Sequence, residues 1–102
     1  MRSRGRTDKN QAALVRDLRL MGYSVMVTSG LAAGFPDLVV GAKGINYLFE
    51  VKNPEQFDSK KRLNSVQEKW HASWRGRSYV VETTDDCLFI INNTKWGDVS
   101  NG

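Results

Sequence analysis

Apolar positions in this 102-residue chain fall into blocks whose period changes along the sequence. Over residues 8–21, Leu14, Leu18 and Met21 recur at helical spacing with Val15 beside them, and Arg16, Asp17 and Arg19 take the other side. Asp8, with Gln11 three residues on, has the form of a capping box, so the helix is expected to open there. Gly22 supplies the left-handed residue that stops it. Residues 23–28 alternate weakly and are rich in β-branched and aromatic side chains, which reads as a first strand. Residues 29–35 form a small-residue loop around Gly30 and Gly34, either a mobile connection or a place where a backbone or a phosphate approaches closely. Two short apolar runs, 38–42 and 45–52, give the second and third strands. A second helix, capped by Asn64 or Ser65, runs to about Arg75 with Val66, Trp70 and Trp74 as a buried stripe, and Gly76 ends it. Residues 78–82 read as a fourth strand. Thr84 caps a short helix over 85–91, although Phe89-Ile90-Ile91 suits a strand equally well. The order α-β-β-β-α-β, followed by a short α, predicts an α/β (α+β) domain with a mixed sheet and helices packed on it.

The second and third strands are joined through Ala42-Lys43-Gly44-Ile45. A two-residue turn at Lys43-Gly44 pairs Ala42 with Ile45, then Gly41 with Asn46, Val40 with Tyr47, Val39 with Leu48 and Leu38 with Phe49. The next pair is Asp37 with Glu50. Directly opposite residues share a face, with Cβ atoms about 4.5–5.5 Å apart. The turn alone therefore brings two carboxylates together, with Lys52 on the same face. Lys43 opposes this register, because a type I′ turn needs positive φ there. A three-residue loop with a bulge at Gly44 would shift the pairing by one.

Carboxylates and a lysine at the ends of apolar strands are costly unless something compensates them. The set Asp37, Glu50 and Lys52 points to a metal site with a cation beside it. The plainer alternative is a buried Glu–Lys ion pair that braces the sheet. Hard oxygen ligands suit Mg²⁺, which keeps several waters and needs few protein ligands. His71, the one histidine, reads as a half-exposed helix residue that shares a neighbouring face with Gln67.

Length and charge sharpen the picture modestly. The chain holds one domain and is too short for a separate recognition domain. A net charge of +4 suits a polyanionic partner. Arg2, Arg4 and Arg6 make a basic arm over residues 1–6, and Lys60-Lys61-Arg62 a basic cluster in a polar loop after the third strand. Both read as phosphate contacts or as solvated charge. A single cysteine, Cys87, excludes an internal disulfide and a Cys-based zinc site, reads as a small core residue, and fits an intracellular compartment. No apolar stretch follows the N-terminal arginines, so no signal peptide is expected, and no apolar run reaches membrane-spanning length.

The ordered set Asn10-Gln11, Gly22, Gly34-x-Pro36-Asp37, Tyr47-Leu48-x-Glu50-Val51-Lys52, Gln67 and Trp74-x-Gly76 resembles the small stand-alone VRR-NUC-type nucleases. These belong to the PD-(D/E)XK superfamily, occur in phages and prophages, and are related to the Holliday junction resolvases. The resemblance spans roughly 7–91, giving a basic arm at 1–6, one nuclease domain at 7–91 and a tail at 92–102 that Trp96 docks onto the body. It implies a restriction-endonuclease-like core and a DNA endonuclease acting on branched or junction DNA in the cytoplasm (of the host, if phage-encoded). Mg²⁺ or Mn²⁺ would be held by Asp37, Glu50 and the carbonyl of Val51. Lys52 would orient or deprotonate the attacking water, Gln67 would lie near the metal or the scissile phosphate, and the protein would act as a homodimer. In one respect the chain departs from the family. Relatives usually carry a glutamate in the first helix as a further ligand, where this chain has Asn10 and Gln11. Either a neutral amide holds a metal-bound water, or metal binds more weakly, or catalysis is lost and a nucleic-acid-binding module remains.

Overall fold

The computed structural model describes residues 4–53 and 63–95 of the chain. Helix α1 spans Arg4–Leu20, strands β1, β2 and β3 span Ser24–Val27, Leu38–Ala42 and Ile45–Val51, helix α2 spans Ser65–Ser73, strand β4 spans Tyr79–Val81, and helix α3 spans Thr84–Asn92. The sheet order is β1-β2-β3-β4, antiparallel across the first three strands and parallel between β3 and β4. The mixed sheet expected from the sequence is present.

The turn chemistry settled the hairpin. Lys43 takes φ +56° and Gly44 φ +83°, both positive, as a type I′ turn requires. The register runs from Ala42–Ile45 to Leu38–Phe49 as expected, with no one-residue shift. Lys43 is the one described non-glycine residue at positive φ, and its ammonium donates to Asn92 Oδ1 at 2.7 Å.

The sheet's two faces differ. Leu38, Val40, Ala42, Tyr47, Phe49 and Val51 point to one side and pack with Leu14, Val15 and Leu18 of α1 and Cys87 and Ile91 of α3. Tyr47 and Phe49 stack with centroids 5.9 Å apart. Cys87 is the core residue expected, and burial pushes its thiol up to about 12.

Helix ends account for three differences from the sequence reading. Helix α1 starts at Arg4, so Asp8 lies inside it and is not its N-cap. The side chain needed to close that capping box, Gln11, is engaged elsewhere, by Ser29. The C-terminus behaves as read: Gly22 at φ +91° donates to Arg19 O at 2.9 Å and Tyr23 N–H reaches Leu18 O at 3.1 Å, a Schellman closure. Helix α3 is capped by Thr83, one residue before the expected Thr84, with Asp86 completing a capping box. That box fixes Phe89-Ile90-Ile91 as helix. Helix α2 is capped by Asn64 with Gln67 and ends at Ser73, three residues before Gly76. Its Val66–Trp70–Trp74 stripe is not buried: no residue of α2 is, and Val66 and Trp74 remain exposed. Lys60, Lys61, Arg62 and Trp96 lie outside the described residues, as do the side chains of Arg4 and Arg6, whose backbone forms the start of α1.

Candidate active site

Asp37 stands where β2 begins, and its backbone is fixed from both sides. Thr28 N–H donates to its carbonyl at 2.7 Å, which continues the β1–β2 register. Its own N–H goes to Phe49 O at 3.0 Å instead of pairing with Glu50, so the β2–β3 ladder stops at Leu38–Phe49. The carboxylate then accepts from Val51 N–H at 2.8 Å and from Ser29 Oγ at 3.1 Å. Asp37 and Glu50 still converge, on the face opposite the apolar core.

Glu50 is 3% exposed. Its Oε2 accepts from Gln67 Nε2 at 2.8 Å and lies 3.5 Å from Lys52 Nζ, while its Oε1 is buried with no partner. Burial, and then the neighbouring Asp37 charge, push its carboxyl up to about 7 against the pull of Lys52. Two carboxylates share one region with one lysine, which leaves an excess of negative charge.

Lys52 Nζ donates to Gln67 Oε1 at 3.0 Å. The same oxygen accepts from Asn64 N–H at 3.0 Å, as the capping residue of α2. Gln67 thus bridges the acid and the lysine from the opposite layer. The sheet and α2 bring Asp37, Glu50, Lys52 and Gln67 together. Val51 contributes its N–H to Asp37; in extended backbone its carbonyl leaves on the same edge.

The sequence singled out Asn10, Gln11 and His71 without their contacts, and it did not single out Ser29. Ser29 Oγ lies 2.9 Å from Gln11 Oε1 and 3.1 Å from Asp37 Oδ1, with one proton to share. A flip of the Gln11 amide would place its NH₂ on Ser29 and free that proton for Asp37. Gln11 is therefore the first-helix amide that reaches the site. Asn10 instead ties α1 to the strand ends, donating to Lys52 O at 3.0 Å and Glu82 O at 3.1 Å. His71, one turn beyond Gln67, pairs its Nδ1 with Ser78 Oγ at 2.8 Å, and its Nε2 is buried with no partner. Burial, then the Lys52 charge, hold its pKa below the usual histidine value. These contacts join residues 18, 42 and 72 positions apart, a separation that no local pattern encodes.

Gly34 sets the distance between this loop and α2. It has φ +81°, and a Cβ there would meet Trp70 Cβ and Val66 O at 3.0 Å. The close approach in the 29–35 loop is thus made by the backbone of α2.

No protein-family model matches this chain, and no curated protein does. A solved structure described as a VRR_NUC domain matches with a TM-score of 0.62 at 20% identity, over 88% of this chain and 98% of that one. At that identity the likeness is one of fold. The chain has the α+β architecture of that domain, a mixed four-stranded sheet with three helices among the described residues.

Proposed function

We propose that this chain is a Mg²⁺- or Mn²⁺-dependent endodeoxyribonuclease that hydrolyses phosphodiester bonds in branched or junction DNA, in an intracellular setting. The carrying observation is the convergence of Asp37, Glu50, Lys52 and Gln67, with Glu50 Oε1 buried and unpartnered. A buried carboxylate oxygen without a donor, beside a second carboxylate, suits a cation. The match in fold to a VRR_NUC domain supports the reading. Among the described residues no three of His, Cys, Asp and Glu gather as ligands. Asp37, Glu50 and the Val51 carbonyl, with waters, would suffice for Mg²⁺.

A metal bound there would supply Lewis acidity and a nucleophilic water near neutral pH. The chain's own residues do the rest. Asp37 is immobilised through Thr28, Phe49, Ser29 and Val51, so its carboxylate needs no reorganisation. Lys52, steadied by Gln67 and Glu50, stabilises charge developing at phosphorus and orients the attacking water. Gln67 Nε2 keeps a second hydrogen for a phosphate oxygen. Arg4, Arg6, Lys60, Lys61 and Arg62 would contact phosphates along the strand. A homodimer would offer two such sites to a junction; light scattering that gives a monomer at tens of micromolar (order of magnitude,) would remove this part.

The test is incubation of the pure protein with plasmid, four-way junction and flap DNA, with Mn²⁺ and with EDTA. Cleavage is expected with Mn²⁺ alone, and Asp37→Asn and Glu50→Gln should each lower it by about a hundredfold or more. Equal cleavage in EDTA, or variants as fast as the parent, would refute the reading. A second reading is a DNA-binding module without catalysis, favoured by Gln11 in place of an acid. Binding to the same DNAs with no cleavage in Mn²⁺ would establish it.

A further inference from the structure

The face of α2 that presents Gln67 also carries Trp70, one turn on. Trp74, the extended C-cap that follows Ser73, stacks on Trp70 and is not buried. Trp70 and Trp74 stack with centroids 4.7 Å apart and planes 18° apart. Phe35, two residues before Asp37, stands at 75° to Trp70 and 87° to Trp74, at 5.2 and 6.3 Å. Those three separations set Phe35 beside the pair, as a buttress. Trp70 covers one side of Trp74 and Gly76 lies against its indole nitrogen, yet Trp74 is 43% exposed. The indole of Trp74 thus keeps open surface beside a catalytic candidate, backed by Trp70 and flanked by Phe35.

We propose that the outer face of Trp74 is a stacking platform for an unpaired base of the DNA strand whose phosphate lies at Asp37 and Glu50. A base has a flat π-face and needs no specific donor, so one aromatic surface accepts any of the four. A duplex cannot offer this face, because its bases are already stacked on one another. Exposed Lys69 and Arg75 flank Trp70 and Trp74 in sequence and complement the backbone of such a strand. Phe35, whose ring centroid lies 6.3 Å from that of Trp74, is two residues from Asp37 and so puts platform and carboxylates on one side of the molecule. The platform makes strand opening beside the cut a condition of tight binding. It rests on the nuclease reading for where the strand runs.

The experiment is equilibrium binding in EDTA, where no cleavage intervenes, of a fluorescent dT20 strand and of a blunt duplex. Trp74→Ala should weaken dT20 binding roughly tenfold or more and leave the duplex unchanged, because one stacking contact is lost. Trp74→Phe should keep most of the affinity, and it controls for a fold upset by the larger truncation. Parent binding of dT20 that both variants retain overturns the platform and leaves the nuclease reading intact. Trp74-dependent binding of dT20 by a protein that cleaves nothing in Mn²⁺ supports the platform and removes the nuclease reading. Loss of both ligands alike, or conversion of a dimer to a monomer by Trp74→Ala, shows that a second copy or the fold uses this face, and overturns it.

Discussion

The two faces of the same sheet are built on opposite rules. The face toward α1 and α3 is closed by apolar side chains, with Leu38, Val40 and Phe49 fully excluded from water. The face toward α2 is closed at one end by hydrogen bonds that join Glu50 and Lys52 through Gln67, with Asp37 beside them, and α2 buries no residue of its own. Neighbouring residues of β3 serve both: Phe49 and Val51 pack the core while Glu50 between them carries the acid. The lesson is that stability and chemistry are separated by the pleat of one strand. Damage on the first face should unfold the protein, and repair on the second should stabilise it while removing the proposed activity.

The largest expected effect is on the core. Phe49→Ala removes a fully buried ring stacked on Tyr47 and should cost about 3–5 kcal/mol in urea unfolding. A loss under ~1 kcal/mol would mean that the apolar face is not where stability resides.

Glu50→Gln, one residue away, should do the opposite. Glu50 ionises near 7 when folded and near 4.5 when unfolded. Between those values the folded state holds the extra proton, so stability falls as pH rises through the window. The deficit reaches about 3 kcal/mol above neutrality. The amide never ionises, so in EDTA the variant should gain about 2–3 kcal/mol at pH 8 and almost nothing at pH 4.5. A variant less stable than the parent at pH 8 would show that the acid contributes to folding.

Gly34→Ala strikes the seam between the loop and α2. It must relieve two 3.0 Å contacts at positive φ, so α2 shifts. A loss of about 1–3 kcal/mol is expected, together with a fall in the proposed Mn²⁺-dependent cleavage. Full activity with normal stability would show that Gln67 tolerates displacement. Smallest is the turn. Lys43→Gly relaxes a left-handed lysine and should add up to about 1 kcal/mol, less the lost bond to Asn92.

The hairpin was legible because pairing across a tight turn is arithmetic: once Lys43-Gly44 is central, every opposite pair sums alike. That same arithmetic foretold the meeting of Asp37 and Glu50, though Asp37 slips to Phe49 at the last step. Helix α2 was legible in its cap but not in its stripe. Period shows which residues share a face, and cannot show whether another layer lies opposite. Helix α1 was misplaced at its start because Gln11 has two uses, and the tertiary one, with Ser29, prevailed. The contacts of Ser29 with Gln11 and of Asn10 with the strand ends carried no local signal, since those partners are distant in the chain.

Gln67 has a consequence for how quickly the site can respond. Both lone pairs of its Oε1 are used, one by Asn64 N–H and one by Lys52, and Nε2 already holds Glu50. The amide cannot swing toward a ligand without uncapping its own helix. Its rotamer entropy is therefore lost when the chain folds, not when a ligand arrives, and the first turn of α2 should exchange its amide protons in step with whatever occupies Glu50 and Lys52.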